Sequence, residues 1–244
     1  MLEPLIINVA IRSLNDEFLC TKIQATSKPT QADGLLLAAH PKRRQEQQIS
    51  RSLRRQLLSD YLLVEPDQLE FAQHVHGKPY LKNHTQIEFS QSHCNDQLVL
   101  VMNKQGVAVG VDIEAKDRSI KVHALAARIL TPKEFEQFEQ AIDQQAFLLR
   151  VWTIKEAVLK ATGLGIRINL NELESHKNFN NNLWDKVGQV QHAKIGSWAY
   201  QSFDTTTHYY TVAWQYTNQC ADDCLNDCLK SHLDNFEQVV FKLI

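Results

Sequence analysis

The chain has 244 residues, of which 43% are hydrophobic and 22% are charged, and its formal net charge at pH 7 is −2. This composition is ordinary for a globular protein of one large domain or two small ones. The small net charge argues against general nucleic-acid binding, so any anion site must come from local clusters of Lys and Arg.

The N-terminal residues contain no basic region, and the apolar run Leu5–Ile7 is too short for a signal peptide. No stretch reaches the roughly 18 apolar residues that a membrane helix needs. The five cysteines are an odd number in a chain large enough to fold without disulfides. We therefore expect a cytoplasmic protein with reduced thiols that does not contact membranes.

The first predicted elements are a strand at Leu5–Ile11 and a helix from residue 42 to residue 63. Ile49, Leu53 and Leu57 recur at helical spacing in the second segment.

The start of this helix is strongly basic, with Arg43 and Arg44 in its first turn. The helix dipole favours anions at that end, so two cations there are a poor structural choice unless they face a bound phosphate. A solvated helix face is the alternative, and the pattern alone leaves both open.

A loop is predicted at His76–Leu81, where Gly and Pro interrupt the pattern around Lys78. The next apolar segment, Ile87–Cys94, is predicted to be a strand that ends in polar residues, among them Ser92 and His93. Neighbours on a strand point to opposite faces, so these two are badly placed to form a nucleophile–base pair. A core histidine is the alternative for His93.

Two carboxylates follow on one face of a predicted strand. Asp112 and Glu114 alternate with Val111 and Ile113 at the end of a Val-rich segment. Like charges this close repel and favour protonation unless a cation neutralises them. A hard divalent ion such as Mg²⁺ would do so, because it prefers carboxylate oxygens and keeps positions open for phosphate.

The helix expected at residues 144–162 has clear start and stop signals, with Asp143 as N-cap and Gly163 just past its end. Before it, Thr131 and Glu134 form a capping-box pattern that opens another helix. On the longer helix, an indole, a carboxylate and a cation share one face at steps of four: Trp152, Glu156 and Lys160.

Beyond residue 168 the chain predicts mostly strands, at about 184–190, 194–203 and 209–216. The C-terminal segment then places Cys220, Cys224, Cys228 and His232 at steps of four. Such steps drift around a straight helix, so four ligands cannot converge on one ion. A buried stripe is therefore favoured over a metal site.

Gly110-Val111-Asp112-Ile113-Glu114 and, about forty residues later, Trp-Thr-Ile-Lys-Glu-Ala-x-x-Lys resemble the signature of the 4′-phosphopantetheinyl transferase superfamily. The length indicates its larger, Sfp-type branch. Further residues are similar to the family's Arg-rich helix, Gly-Lys-Pro loop and Ser-His pair. There are two departures: Ser50 replaces a usual Gly, and Cys94 replaces a usual Ser.

The resemblance implies an α+β fold of two pseudo-symmetric halves, with the active site in the cleft between them. Residues 1–115 would form the N-terminal half, with the coenzyme A-binding elements and the first metal-binding strand. Residues 116–244 would form the C-terminal half, with the catalytic helix 144–162 and a closing sheet. We find no internal sequence repeat, so the symmetry comes from the resemblance alone.

The resemblance also implies the site residues. Asp112, Glu114 and Glu156 would bind Mg²⁺, or Mn²⁺ in its place, and the catalytic set would be Glu156, Lys160 and Asp112. For Lys155, a structural ion pair remains an alternative to a role in the site. The residues expected to contact coenzyme A are Arg43, Arg44, Lys78, Ser92, His93, Lys155 and Lys160.

The implied reaction is Mg²⁺-dependent transfer of the 4′-phosphopantetheine arm of coenzyme A to a serine of an apo acyl or peptidyl carrier protein. Adenosine 3′,5′-bisphosphate would be the other product. The alternative is a non-catalytic homologue that binds coenzyme A or a carrier protein. We expect a monomer, because the resemblance supplies both halves of the site in one chain.

Overall fold

Two β-sheets, each covered by a long helix, form the framework of the protein. The structure, a computed structural model, describes residues 5–14, 40–165, 167–176, 187–215 and 239–244. The elements up to the sixth strand are β1 (Leu5–Ser13), α1 (Pro41–Leu62), β2 (Phe71–Gln73), β3 (Pro79–Leu81), β4 (Glu88–Cys94), β5 (Gln97–Asn103) and β6 (Val109–Ala115). The later elements are α2 (Val122–Ile129), α3 (Pro132–Gln140), α4 (Gln144–Thr162), β7 (Glu174–His176), β8 (Val187–His192), β9 (Gly196–Asp204), β10 (His208–Gln215) and β11 (Val239–Leu243).

The first sheet has the strand order β11-β1-β5-β4, in which the β11–β1 pair is parallel and the other pairs are antiparallel. The second sheet has the order β6-β10-β9-β8-β7 and is antiparallel throughout. β2 and β3 form a separate two-stranded ribbon. These sheets and the helices confirm the predicted α+β class.

The predicted division at residue 116 stays a prediction. β6 precedes that position and pairs with β10, whereas β11 follows it and pairs with β1. Each sheet therefore takes strands from both sides of residue 116. The proposed symmetry between two halves likewise stays a prediction.

The alternating side chains of β1 and β5 create two separate cores in the first sheet. One face packs Ala10, Leu98 and Leu100 against Leu53 and Leu57 of α1. The opposite face turns apolar side chains toward the second sheet. The residues of this inter-sheet core include Ile7, Val9, Val99, Val101, Val111, Ile113, Val212 and Trp214. The layers thus run from α1 through the two sheets to α4.

Two arginines of α1 belong to the packing of the first sheet. Arg54 and Arg55 are buried and lie over the Phe71 ring, with their guanidinium carbons 4.6 and 4.8 Å from its centroid. Arg55 also donates to the carbonyls of Pro66 and Leu69. Arg55 therefore lies in the protein interior and not on a solvated helix face.

Helix α4 covers the second sheet and spans the predicted residues, 144–162. The Asp143 carboxylate accepts the N–H of Ala146 at 2.9 Å, and Gly163 ends the helix with a φ of 70°. The predicted caps are thus confirmed. Thr131 and Glu134 likewise form the predicted capping box at the start of α3.

Gly110 sets how closely α4 approaches β6. A Cβ atom at this position would lie 2.0 Å from the Ala157 carbonyl oxygen and 2.4 Å from the Ala161 nitrogen. Contacts this short are impossible, so only glycine permits the observed spacing. This close packing brings the functional face of α4 onto the carboxylates of β6.

Several sequence predictions differ from the structure in detail. Pro79–Leu81, predicted as part of a loop, pairs with β2 because its backbone is extended. The cysteine stripe from Cys220 to Cys228, with His232, lies outside the described residues. None of the helices in the described ranges has the length and apolar character required to cross a membrane.

Candidate active site

A cavity of about 470 Å³ lies where β4, β6 and α4 meet. The two strands each contribute three consecutive residues, and α4 contributes three side chains from one face. The residues that line the cavity are Gln91, Ser92, His93, Asp112, Ile113, Glu114, Trp152, Glu156 and Lys160. The structure therefore brings together three carboxylates and one lysine that lie up to 48 residues apart in the chain.

Asp112 is the centre of a short polar network. The Lys160 ammonium donates to Asp112 Oδ1 at 2.6 Å and to Ser92 Oγ at 2.8 Å, and Ser92 Oγ donates to the same carboxylate oxygen at 2.9 Å. Asp112 is only 5% exposed, and its Oδ2 atom is buried without a hydrogen-bond partner. An unpartnered carboxylate oxygen at a cavity wall is a candidate ligand for a cation.

Glu114 lies two residues further along β6 and is held by a second cation. Arg118 forms an ion pair with Glu114 Oε1, and its guanidinium carbon lies 5.3 Å from the centroid of the Trp152 ring. Burial raises the pKa of Glu114, and the nearby Asp112 carboxylate raises it further, whereas Arg118 lowers it. Nearby cations thus partly offset the repulsion between the carboxylates of the site.

Glu156 faces the same cavity from α4. Burial raises the pKa of Glu156, Asp112 and Glu114 raise it further by charge repulsion, and Lys160 lowers it. A carboxyl whose pKa is raised toward neutrality is a better proton acceptor than an ordinary glutamate. The pKa of Glu114 is raised in the same way, but Glu114 is held in the ion pair with Arg118. Glu156 is therefore a candidate base.

Side chains of β4 hold the free edge of β6, which is the outermost strand of its sheet. Ser90 Oγ accepts the N–H of Val111 at 3.2 Å, and Cys94 Sγ accepts the N–H of Ala115 at 3.3 Å. These contacts satisfy backbone donors that β10, on the other side, does not reach. Cys94 therefore has a structural role at the position where the resemblance expects serine.

Comparison with known proteins finds a similarity over the part of the chain that contains this cavity's carboxylates. Residues 108–214 match the model of the 4′-phosphopantetheinyl transferase superfamily. The matched range contains β6, α4 and β10, and hence all three carboxylates and Lys160. This part of the chain is therefore similar to that superfamily. The resemblance predicted from the sequence motifs is thereby confirmed.

Similar curated proteins carry the same name. The chain is 34% identical over 139 residues to the 4′-phosphopantetheinyl transferase HetI of Nostoc sp., covering 55% of this chain and 58% of that protein. It is 29% identical over 119 residues to the 4′-phosphopantetheinyl transferase psf-1 of Bacillus pumilus, covering 48% and 49%. The chain thus spans about half the length of the curated relatives it matches.

A solved holo-[acyl-carrier-protein] synthase of Neisseria meningitidis is also similar to this chain. The sequence identity is 23%, the match covers 45% of this chain and 98% of that one, and the TM-score is 0.37.

The coenzyme A contacts that the superfamily resemblance implies are spread over several elements. His93 lies at the cavity, where surrounding protein and then the Lys160 charge lower its pKa, while Glu46 of α1 raises it. Arg43 and Arg44 are exposed in the first turns of α1, and their contact with phosphate stays a prediction.

Lys78 of the Gly-Lys-Pro loop does not line the cavity. Its ammonium donates to Glu88 Oε2 at 2.9 Å and to the Ala161 carbonyl at 3.0 Å, near the C-terminus of α4. Its side chain also packs against Gly163, where an added Cβ atom would lie 3.2 Å from Lys78 Cδ. Lys78 thus ties its loop to α4, and its predicted contact with coenzyme A stays a prediction.

For Lys155 the structure favours the structural alternative and corrects the assignment to coenzyme A binding. Its ammonium is fully buried and donates to Glu134 Oε2, to the Ile129 carbonyl and to the Leu170 carbonyl, at 2.5 to 2.9 Å. Glu134 also accepts from the backbone and hydroxyl of Ser175. All three ammonium protons therefore have protein acceptors, and none points into the cavity.

The chemistry of the cavity fits a hard divalent cation, although the carboxylates are engaged by other cations. In the described part of the chain, no group of three or more His, Cys, Asp or Glu side chains is arranged to hold a metal ion. Lys160 and Arg118 occupy one oxygen each of Asp112 and Glu114, and the Cys94 thiol contacts the other Glu114 oxygen at 3.7 Å. Asp112 Oδ2 remains available to a metal.

Sequence reasoning missed two contributors to this region. Arg118 contacts both Glu114 and Trp152, and Ser90 holds the backbone of β6. The i, i+4 spacing of Glu114 and Arg118 could have indicated the ion pair. Nothing in the sequence marks Ser90, because its role depends on β4 lying beside β6.

Proposed function

We propose that the protein transfers the 4′-phosphopantetheine arm of coenzyme A to a serine of an apo acyl or peptidyl carrier protein and releases adenosine 3′,5′-bisphosphate. The observation that carries the proposal is the convergence of Asp112, Glu114, Glu156 and Lys160 on one cavity, inside the range that matches the superfamily. A non-catalytic homologue has no reason to keep three mutually repelling carboxylates there.

In the proposed reaction, the serine hydroxyl of the carrier attacks the phosphorus that bears the pantetheine arm. The bond from that phosphorus to the oxygen bridging the two phosphates breaks, and the bridging oxygen leaves with the adenosine bisphosphate. The protein mainly has to position the reactants and oppose the negative charge that moves onto the leaving group.

Glu156 would take the proton of the serine hydroxyl, directly or through water, because its pKa is raised by burial and by the neighbouring carboxylates. Lys160 lies on the same face of α4 and would neutralise the leaving phosphate or return a proton to it. In the structure Lys160 rests on Asp112 and Ser92, so it is held at the cavity in advance.

Asp112, Glu114 and Glu156 are the residues that would hold Mg²⁺, or Mn²⁺ in its place. When bound, the ion would bind the diphosphate and stabilise the departing phosphate. Trp152 and Ile113 cannot serve as ligands and instead form the wall beside these acids.

We further propose that the protein works as a monomer in the cytoplasm, on carrier proteins and without nucleic-acid or membrane partners. The lining of the cavity by β4, β6 and α4 of a single chain supports the monomer. The near-neutral net charge and the odd number of cysteines support the other points.

The test is a matched pair of variants in a transfer assay with an apo carrier protein, coenzyme A and Mg²⁺. Asp112→Asn removes the central charge with little change in shape, whereas Asp117→Asn makes the same change on an exposed turn. We expect Asp112→Asn to lose at least about a hundredfold in kcat and Asp117→Asn to retain native activity. A folded and fully active Asp112→Asn protein would contradict the assignment.

A further inference from the structure

Arg118 connects two walls of the cavity. It lies in the turn after β6 and forms the ion pair with Glu114, and its guanidinium carbon is 5.3 Å from the Trp152 ring centroid. Both of these partners line the cavity. The Arg118 side chain itself is 37% exposed, whereas the Glu114 side chain is 10% exposed.

Each of the two β6 carboxylates is thus balanced by its own cation. Lys160 of α4 occupies Asp112 Oδ1, and Arg118 occupies Glu114 Oε1. A metal ion that binds all three proposed ligands needs oxygens from both residues. The other Glu114 oxygen, Oε2, accepts a weak hydrogen bond from the Cys94 thiol at 3.7 Å. Both Glu114 oxygens thus have a protein partner, and a divalent cation must displace one of them to bind this carboxylate.

We propose that Arg118 is a positioning residue that holds Glu114 in the metal-free protein and competes with a divalent cation for its carboxylate. The inference rests on the proposed function, because it takes Glu114 as a metal ligand. Arg118 acts through Glu114 and needs no contact with the reacting atoms.

The strength of the contact suits a replaceable counter-ion. Arginine–carboxylate hydrogen bonds are charge-assisted and well oriented, yet a pair with one partner as exposed as Arg118 contributes little net stability. A divalent cation can therefore displace the guanidinium. The Trp152 ring offers Arg118 a second contact that does not depend on Glu114.

Lys160 is less suited to this exchange. Its ammonium is held by both Ser92 and Asp112, and Asp112 still has its second carboxylate oxygen without a partner. A metal can bind that oxygen while Lys160 stays in place. Arg118 is thus the cation whose movement controls access to a proposed ligand.

The experiment measures Mn²⁺ binding to the purified full chain by the electron paramagnetic resonance signal of free Mn²⁺. Arg118→Gln is compared with Arg128→Gln, which removes the same charge from an exposed position of α2 outside the cavity. We expect Arg118→Gln to bind Mn²⁺ up to about fivefold more tightly than the native protein. Arg128→Gln should retain the native affinity.

Thermal unfolding provides a second readout that does not involve catalysis. In EDTA, Arg118→Gln should melt about 1–4 °C below the native protein, because Glu114 loses its counter-ion. At saturating Mn²⁺ this difference should disappear, since the metal replaces the guanidinium. A merely structural arginine would cause the same loss in both conditions.

Unchanged or weaker Mn²⁺ binding by Arg118→Gln would overturn the competition, and so would equal tightening in Arg128→Gln, which would indicate a general charge effect. The proposed function is read separately, from transfer to a carrier protein. If the native protein transfers the arm but Arg118→Gln binds Mn²⁺ with native affinity, only the proposed competition is overturned. A native protein that neither binds Mn²⁺ nor transfers the arm would overturn both.

Discussion

Glu156 is partly buried and lies near two other carboxylates. Both conditions determine how ionisation of Glu156 affects the stability of the fold. Burial and the Asp112 and Glu114 carboxylates raise its pKa in the folded protein, although Lys160 opposes them. A carboxyl whose folded pKa exceeds its unfolded value destabilises the fold when ionised, and this destabilisation is lost as the pH falls through the folded pKa. Glutamine mimics the protonated form at every pH.

We therefore predict that Glu156→Gln is more stable than the native protein in EDTA at about pH 8, and that the difference shrinks toward about pH 5. Thermal unfolding of both proteins over this range provides the measurement. The same variant should lose the proposed base and hence transfer activity, so stability and function change in opposite directions. A constant difference in melting temperature across the range would contradict the raised pKa.

Lys155 and Lys160 show what the sequence alone does and does not predict at this scale. Both stand in the superfamily motif, one turn and a fraction apart on α4, and both were expected to contact coenzyme A. Only Lys160 faces the cavity, whereas Lys155 lies in the core beside Glu134. The difference depends on which elements pack around α4, and no local pattern contains that information.

We expect Lys155→Met to be destabilised by about 3–5 kcal/mol, because it leaves Glu134 buried without its cation. Denaturant unfolding measures this loss. Glu134→Gln in the same chain should recover part of it, since the remaining charge is then removed. The KM for coenzyme A of whichever variant folds should stay within about twofold of native, as expected of a residue that binds no substrate. Native stability with a large rise in KM would restore Lys155 to the binding site.

At the scale of elements, β6 and α4 form the unit that builds the site. The apolar face of β6 packs between the sheets, and its polar face meets α4 across Gly110. The pairing of Asp112 with Lys160 depends on this short distance. The backbone contact is therefore as necessary to the cavity as the charged side chains.

Gly110→Ala places a Cβ atom into the backbone of α4, where the Ala157 oxygen and Ala161 nitrogen would lie within 2.4 Å. Backbone atoms cannot move aside as a flexible side chain can, so the helix must shift. We expect a loss of about 1–3 kcal/mol in the free energy of unfolding, together with reduced transfer. Chemical denaturation followed by circular dichroism provides the first value. A variant with native stability would show that α4 adapts without cost.

Most single elements could be predicted, because their signals are local. The caps at Asp143 and Gly163 and the alternation around Asp112 each depend on a few neighbouring residues. The pairing of β6 with β10 and of β1 with β11 could not be predicted in this way. These pairs join segments about a hundred and more than two hundred residues apart, and only the complete fold selects them.

At the scale of the whole molecule, the site lies where two sheets meet along their edge strands. β4 supplies Ser92 from the first sheet, and β6 supplies Asp112 from the second. Side chains of β4 accept hydrogen bonds from backbone N–H groups of β6, and these bonds hold the junction. The cavity is therefore a product of how the sheets are joined, and its chemistry depends on both.

The central claim is that this cavity transfers phosphopantetheine, and the intact mass of an apo carrier protein tests it most directly. The carrier is incubated with this protein, coenzyme A and Mg²⁺, with parallel samples that contain EDTA or Asp112→Asn. We predict a gain of one phosphopantetheinyl group, lost in both parallel samples. No gain on a fatty-acid, a polyketide and a peptidyl carrier, despite measurable coenzyme A binding, would contradict the account and favour a non-catalytic binding protein.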